Sequence, residues 1–238
     1  MPKKEQVRQM FDNIAGDYDR LNHIMSLDTD KSWRRRALGE IAAAPGCREG
    51  AIDVLDLACG TGDFSIAIAK GVPGSRVTGV DLSEGMLEVM RKKVAEEGLE
   101  SRIEARQGDG EALPFPDGSF DRVTIAFGIR NFENREKGLR EMLRVLRPGG
   151  KLVILELSVP ENRLIRWAYN LYFLHILPKI GGGISGDKAA YNYLPASVTK
   201  FPGRKAFMAT LKDCGYANVR HKAFTFGICR MYCGEKLQ

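Results

Sequence analysis

The sequence predicts an α/β fold built on a parallel sheet with helices on both faces. Three observations predict it. An apolar run, Ile52 to Leu57, enters a glycine turn, Asp56-Leu57-Ala58-Cys59-Gly60-Thr61-Gly62-Asp63, and a helical pattern, Phe64 to Ala69, leaves it. Strands and helices then alternate as far as Leu157. Such alternation implies parallel strands joined by right-handed crossover helices. A last helix and two strands close the chain, Lys205–Cys214, Ala217–Phe224 and Ile228–Cys233.

Size and composition fit one domain over residues 1–238. A chain of 238 residues with 44% hydrophobic side chains can bury one good core. It divides by pattern into a helical cap at 1–45, a core at 51–157, a helical insertion at 160–202 and a closing unit at 203–238. The net charge of +6 suits nucleic acid, an anionic membrane or anionic substrates, and equally a solvated basic surface. The five cysteines form no CxxC pair, so neither a zinc site nor a disulfide framework is expected, and reduced thiols in a cytoplasmic protein fit best. No metal is expected. The N-terminus lacks the apolar stretch of a signal peptide, and no apolar run approaches the ~20 residues of a membrane span.

Taken in order, Val7, Met10, Phe11 and Ile14 fall at helical spacing, and a second helix is expected from Lys31 to Ala44. The cap either packs on the domain or forms a lid, since Tyr18, Asp19, Asn22 and His23 place polar groups there. The core reads as strand Ile52–Leu57, helix Phe64–Lys70, strand Arg76–Val80, helix Glu84–Glu97, strand Arg102–Arg106, strand Phe120–Phe127, helix Arg135–Leu146 and strand Lys151–Leu157. Arg147-Pro148-Gly149-Gly150 reads as a helix stop and turn before that last strand. In the insertion, Leu164, Trp167, Ala168 and Leu171 share one helical face, with Tyr169, Tyr172 and Phe173 beside it. Pro178 and Gly181-Gly182-Gly183 end that segment.

The turn points to a nucleotide-like ligand. Gly60 and Gly62 permit a tight turn and close approach to backbone, and the helix start offers free N–H groups. Ser65 stands where a dinucleotide fingerprint has its third glycine. Asp56 and Asp63 flank the turn, an arrangement expected to suit a cationic sulfonium better than a pyrophosphate. Asp81, beside Leu82 after the second strand, is placed to bind ribose hydroxyls. Asp109, beside Gly110 after the third, is placed to accept from an exocyclic amine. Either acid alone also reads as a cap or turn residue. Asp56, Gly60, Thr61, Gly62, Asp81, Leu82, Asp109 and Gly110 form the expected cofactor set.

Asp56–Asp63, Asp81, Asp109 and Leu146–Gly150 resemble the class I S-adenosylmethionine (SAM)-dependent methyltransferases. The resemblance implies a Rossmann-like, seven-stranded sheet with an antiparallel last strand, and SAM as cofactor. Tyr18-Asp19-Arg20-Leu21-Asn22 with Ser26 and Trp33, Phe127-Gly128-Ile129-Arg130-Asn131, and Arg144–Gly150 continuing to Glu156-Leu157-Ser158 resemble the quinone-biosynthesis C-methyltransferases. That family methylates a carbon of a polyprenylated quinol in making menaquinone and ubiquinone. The shorter, menaquinone-type members are most similar, so demethylmenaquinol is the expected acceptor, with a benzoquinol or another O- or N-acceptor as the alternative. Two positions depart: Asp30 stands where the family has a histidine, and Ala126 where a serine is frequent.

Methyl transfer requires the nucleophile, methyl and sulfur in line, and water excluded. A quinol carbon becomes nucleophilic as its neighbouring hydroxyl loses a proton, and a phenol's pKa near ~10 calls for a positioned acceptor. Tyr18, His23, Arg130 and Asn131 are the substrate-side candidates, with His175 and Tyr191 as further polar groups. Arg130 reads either as a phenolate-stabilising charge or as a surface ion-pair residue. His221, in a late strand, reads as structural. The segment 163–180, aromatic and flanked by basic residues, either packs over a pocket or makes peripheral contact with the inner face of the membrane. A nucleic-acid target is not expected, because the segment after the fourth strand lacks an Asn-Pro-Pro-aromatic loop. A non-catalytic binder retaining the pocket is the remaining reading. Oligomeric state is not legible.

Overall fold

The computed structural model describes residues 4–16, 18, 19, 22, 26, 28–42, 52–172 and 188–238, with side chains from 193 in the last stretch. The order is α1 (Lys4–Ile14), α2 (Thr29–Ala42), β1 (Ile52–Leu57), α3 (Asp63–Gly71), β2 (Ser75–Asp81), α4 (Glu84–Glu96), β3 (Ile103–Gln107) and β4 (Phe120–Ala126). A 3-10 turn (Ile129–Asn131) leads to α5 (Arg135–Val145) and β5 (Leu146–Leu157). Then come α6 (Arg163–Leu171), α7 (Lys188–Lys200), α8 (Arg204–Asp213), β6 (Ala217–Phe224) and β7 (Cys229–Glu235).

The seven strands lie in the order β3-β2-β1-β4-β5-β7-β6. β1 pairs in parallel with β2 and β4, and β7 pairs antiparallel with both β5 and β6. The seven strands and the reversed last one are those that the resemblance implies.

Strand periodicity sorts the core into two layers. Val54 joins Trp33, Ile41, Ile68, Leu87 and Met90 on one face. Its neighbour Leu55, with Leu57, Val123 and Ile125, meets Leu139, Met142 and Phe207 on the other. On α5 the buried positions Leu139, Met142 and Val145 recur every three residues, so one stripe of the helix faces the sheet. Full burial of such side chains stabilises by about 1.5–3 kcal/mol each.

One expectation is corrected. β5 begins at Leu146, not at Lys151, and runs through the Pro-Gly-Gly stretch. Leu146 pairs with Phe120 and Lys151 with Arg122, a bulge that absorbs the extra residues. Gly149, at φ 77°, donates its N–H to Lys236 O, and Lys236 N–H donates to Gly150 O. Arg147 pairs with Asp121 at 2.6 Å and Asp53 at 3.0 Å. Local turn chemistry is therefore overridden by bonds to distant chain. Pro178 and Gly181–Gly183 lie outside the described residues.

Candidate active site

The parallel strands end their C-termini at one rim, and the expected cofactor residues gather there. In the loop after β1, Gly60 and Gly62 have φ of 56° and 85°, the left-handed region glycine adopts without strain. A Cβ on Gly62 would lie 2.5 Å from Met90 Cγ, whereas one on Gly60 would meet only the Tyr18 ring at 3.8 Å. Gly62 is thus packed against α4, and Gly60 presents open backbone. Gly60 N–H donates to Asp81 Oδ2 at 2.9 Å, and Ser83 N–H donates to Asp81 Oδ1 at 2.9 Å. Asp81 therefore ties the glycine loop to the end of β2. It is not the cap of α4; Ser83 is, accepting from Met86 N–H. Burial pushes the Asp81 carboxyl up, against the pull of these N–H groups. Asp109 accepts from Glu111 N–H at 2.9 Å and from Lys4 Nζ at 2.6 Å, so α1 is latched across the rim.

A cavity opens here. Gly60, Asp81, Leu82, Asp109 and Gly110 line it, and Lys4, Val7 and Phe11 of α1 roof it. Thr61 and Asp56 lie on a smaller adjoining recess. Gly62 supports the loop from behind. The donor set fits a nucleoside: a carboxylate after β2, a second after β3, open glycine backbone, and apolar walls from Phe11, Leu82 and Phe132.

The two carboxylates flanking the turn do not play the part expected of them. Asp56, 1% exposed, accepts from Ser65 Oγ at 2.6 Å and Thr124 Oγ1 at 2.8 Å. Burial pushes its carboxyl up to about 6 despite those bonds. Asp63 is paired with Lys93 and lies 3.4 Å from Arg34. Its charge is compensated by the protein itself, so the acids beside the loop give no ground for choosing a sulfonium.

A second, roomier cavity adjoins the first. It is mainly apolar, walled by Trp33, Leu157, Ile165, Leu194 and Ile228, with Asp30, Arg34 and Arg130 as its charged groups among the described residues. Tyr18 and Phe127 line both cavities. Burial raises the Tyr18 hydroxyl above its ordinary range, which keeps it a donor. Phe127 sits at φ 59°, an uncommon conformation for a bulky residue, with Trp33 6.0 Å and the Arg34 guanidinium 5.7 Å from its ring centre.

Arg130 is no surface residue. Its guanidinium pairs with the fully buried Glu156 at 2.9 Å, donates to Phe127 O, and reaches Ser197 Oγ at 3.2 Å. Glu156 also accepts from Arg130 N–H at 3.1 Å. Asn131, expected beside it, faces the first cavity instead and accepts from Tyr193 OH at 2.9 Å. His23, His175 and the Tyr191 side chain lie outside the described residues. His221 sits on β6, where Arg204 Nη1 approaches its Nε2 at 3.2 Å. Sequence reasoning missed Arg34, Phe127, Glu156 and Ser197 as wall or support residues. The apolar face expected on α6 is split: Ala168 lines the second cavity with Ile165 and Tyr169, while Leu164 and Trp167 are 74% and 65% exposed. Among the described residues no cluster of His, Cys, Asp or Glu could hold a metal, and no helix is long and apolar enough to cross a membrane.

The chain is similar to known proteins over nearly its whole length. The family model described as the ubiE/COQ5 methyltransferase family matches residues 1–236. A Geobacter sulfurreducens protein named ubiquinone/menaquinone biosynthesis C-methyltransferase UbiE is 48% identical, covering 98% of this chain and 90% of its own. A Bacteroides fragilis protein named demethylmenaquinone methyltransferase is 42% identical, covering 98% and 94%. A crystal structure of a SAM-dependent methyltransferase from Aquifex aeolicus, 19% identical, superposes with a TM-score of 0.60 over 86% of this chain and 89% of its own, which shows the shared fold. The chain belongs to the ubiE/COQ5 methyltransferase family.

Proposed function

We propose that this protein transfers a methyl group from SAM to a ring carbon of a polyprenylated quinol, converting demethylmenaquinol to menaquinol. The observation that carries the reading is the pair of adjoining cavities, one lined by the polar groups a nucleoside needs and one mainly apolar, with Tyr18 and Phe127 in the walls of both. The names of the relatives support the quinol, and the Bacteroides fragilis relative supports the naphthalene ring.

Asp81 takes the ribose hydroxyls and Asp109 the adenine amine, for which Lys4 must yield one carboxylate oxygen. Gly60 and Gly110 let the backbone come close, and Leu82 and Phe132 pack the base. When bound, SAM supplies a methyl group on a sulfonium, whose carbon–sulfur bond breaks as the carbon–carbon bond forms. The chain's contribution is alignment and exclusion of water, worth about 7–11 kcal/mol of barrier when the geometry is held well. Arg130, kept rigid by Glu156, offers a fixed positive charge beside the ring oxygens, and Tyr18 a hydrogen bond from between the cavities.

The prenyl tail needs an apolar path. α6 is one helix thick, with Ile165, Ala168 and Tyr169 on the cavity and Leu164, Trp167 and Leu171 outside. We assign the outer face to peripheral contact with the membrane that stores the substrate. Residues 173–180 of the expected contact segment lie outside the described residues.

The test is comparative turnover of demethylmenaquinol and a demethyl benzoquinol under reducing conditions, with labelled methyl donor and product mass. Carbon methylation of the naphthoquinol in excess is expected. Methylation at oxygen, or no product from either ring, overturns the assignment.

A further inference from the structure

Methylation of the ring carbon requires a group that receives the hydroxyl proton. Arg130 cannot accept one, and Tyr18 is held as a donor by burial. Glu156 does not line the acceptor cavity and is engaged with Arg130. Among the described residues that line that cavity, Asp30 is the one carboxylate.

Asp30 sits in the first turn of α2 and is 3% exposed. Two neighbours on the same stretch hold it. Ser26 Oγ donates to its Oδ1 at 2.6 Å, and Arg34, one turn on, pairs with its Oδ2. An ionised carboxylate so deeply buried persists only with partners of this kind. Arg34 also lies 3.4 Å from Asp63 at the start of α3, and its guanidinium covers the Phe127 ring. The carboxylate is therefore referenced, through one arginine, both to the cofactor loop and to the wall between the cavities. Among the described residues, the other titratable and charged groups beside it or on the same cavity are Tyr18 before α2, Lys31 next in the chain, Arg130 after β4, and Tyr169 and Tyr172 at α6.

We propose that Asp30 is the acceptor of the substrate's ring hydroxyl proton, oriented by Ser26 and Arg34. This deepens the function proposed above and rests on it. The hydroxyl O–H bond breaks and its proton passes to an Asp30 oxygen. The O–H pair becomes the π bond of a ring carbonyl, and the ring's π pair forms the new bond to methyl as the methyl–sulfur bond breaks. The methylated carbon then loses its hydrogen to water as a proton, and Asp30 returns its own proton to the oxygen. The balance is one methyl gained and one proton released, with no change of oxidation state in the protein. A quinone cannot enter this step, because it carries no hydroxyl.

The experiment uses the full chain in two arms. In the first, kcat and kcat/KM for the quinol are followed against pH in wild type, Asp30→Asn, Asp30→Glu and Ser26→Ala. Asp30→Asn is expected to lose at least ~100-fold in kcat, the low end for a lost general base. Its KM and its SAM affinity stay within a few fold, and the acid limb of the profile disappears. Asp30→Glu restores part of the rate. Ser26→Ala keeps the carboxylate without its hydrogen-bond donor, so the acid limb moves to higher pH. In the second arm, 1-naphthol and 1-methoxynaphthalene are titrated by quenching of tryptophan fluorescence, without turnover. Wild type is expected to prefer the naphthol by about ten-fold, the size of one hydrogen bond to a charged group, and Asp30→Asn to lose that preference.

Wild-type turnover separates the two claims. If wild type makes no product from the quinol, the function itself fails. If wild type is active and Asp30→Asn keeps its rate and acid limb, only the role of Asp30 fails. Should Asp30→Asn not fold, Ser26→Ala decides: an unmoved acid limb overturns the proposal.

Discussion

Arg130, on the wall of the acceptor cavity, and Glu156, which does not line it, form a buried ion pair at 2.9 Å, and the backbone N–H of Arg130 donates to the same carboxylate. Two bonds from one residue to one acid fix both the guanidinium and the turn that carries it. Removing one partner strands a buried charge. Glu156→Ala is expected to cost about 3–5 kcal/mol in urea unfolding. Replacing both, as Arg130→Met with Glu156→Leu, should restore most of that stability while turnover stays low. A double variant as unstable as the single one would show that the pair's backbone bond, not its charge, holds the turn.

Asp81 joins the glycine loop to the end of β2 and borders the first cavity. Asp81→Ala is expected to weaken SAM binding by roughly 1–3 kcal/mol in calorimetry, from lost charge-assisted hydrogen bonds. Unchanged affinity would remove Asp81 from the site.

Asp56 should leave a signature in stability against pH. Its folded carboxyl is pushed from 3.8 up to about 6 by burial. The folded state therefore binds the proton more tightly than the unfolded chain. That contribution is fully present below pH 3.8 and is lost as pH rises through about 6. The span corresponds to about 3 kcal/mol. Asp56→Asn should flatten the stability curve between those limits relative to wild type. Parallel curves for the two proteins would refute it.

Gly62 and Gly98 separate two costs of adding a methyl group. Both have positive φ, but a Cβ on Gly98 meets nothing within 4 Å, whereas one on Gly62 meets Met90. Gly98→Ala should cost about 1 kcal/mol from backbone alone. Gly62→Ala should approach ~3 kcal/mol and also weaken SAM binding. Equal melting temperatures for the two variants would mean that Met90 moves aside freely.

Leu164 and Trp167 are expected to mediate lipid contact. Flotation with anionic liposomes should recover wild type, and recovery should fall several-fold for Leu164→Ser with Trp167→Ala. Turnover of a short-tailed quinol in solution should be kept. Equal flotation would assign the exposed face another role.

Much of the fold is legible because alternating apolar runs force it: Val54 and Leu55 fall on opposite layers by period alone. Boundaries set by distant bonds are not. Nothing near Leu146 announces that Lys236 will pin Gly149 and Gly150 into the sheet. The same division holds in the site. Asp81 and Asp109 follow their strands as the topology requires. The partners that decide charge, Lys93 with Asp63 and Glu156 with Arg130, lie 30 and 26 residues away, and spacing does not reveal them. Asp30 stood out in the sequence only as a departure from a resemblance. Its burial beside Arg34 is a property of how α2 packs.

Tyr18 and Phe127 belong to the walls of both cavities. Whatever one occupant does to the freedom of those two rings, the other must feel, and by the same free energy in each direction. Affinity for the quinol is thus a conditional quantity. A titration into protein that holds the intact cofactor, its demethylated product or nothing reports three different equilibria, and their ratios measure how far the two rings carry the message.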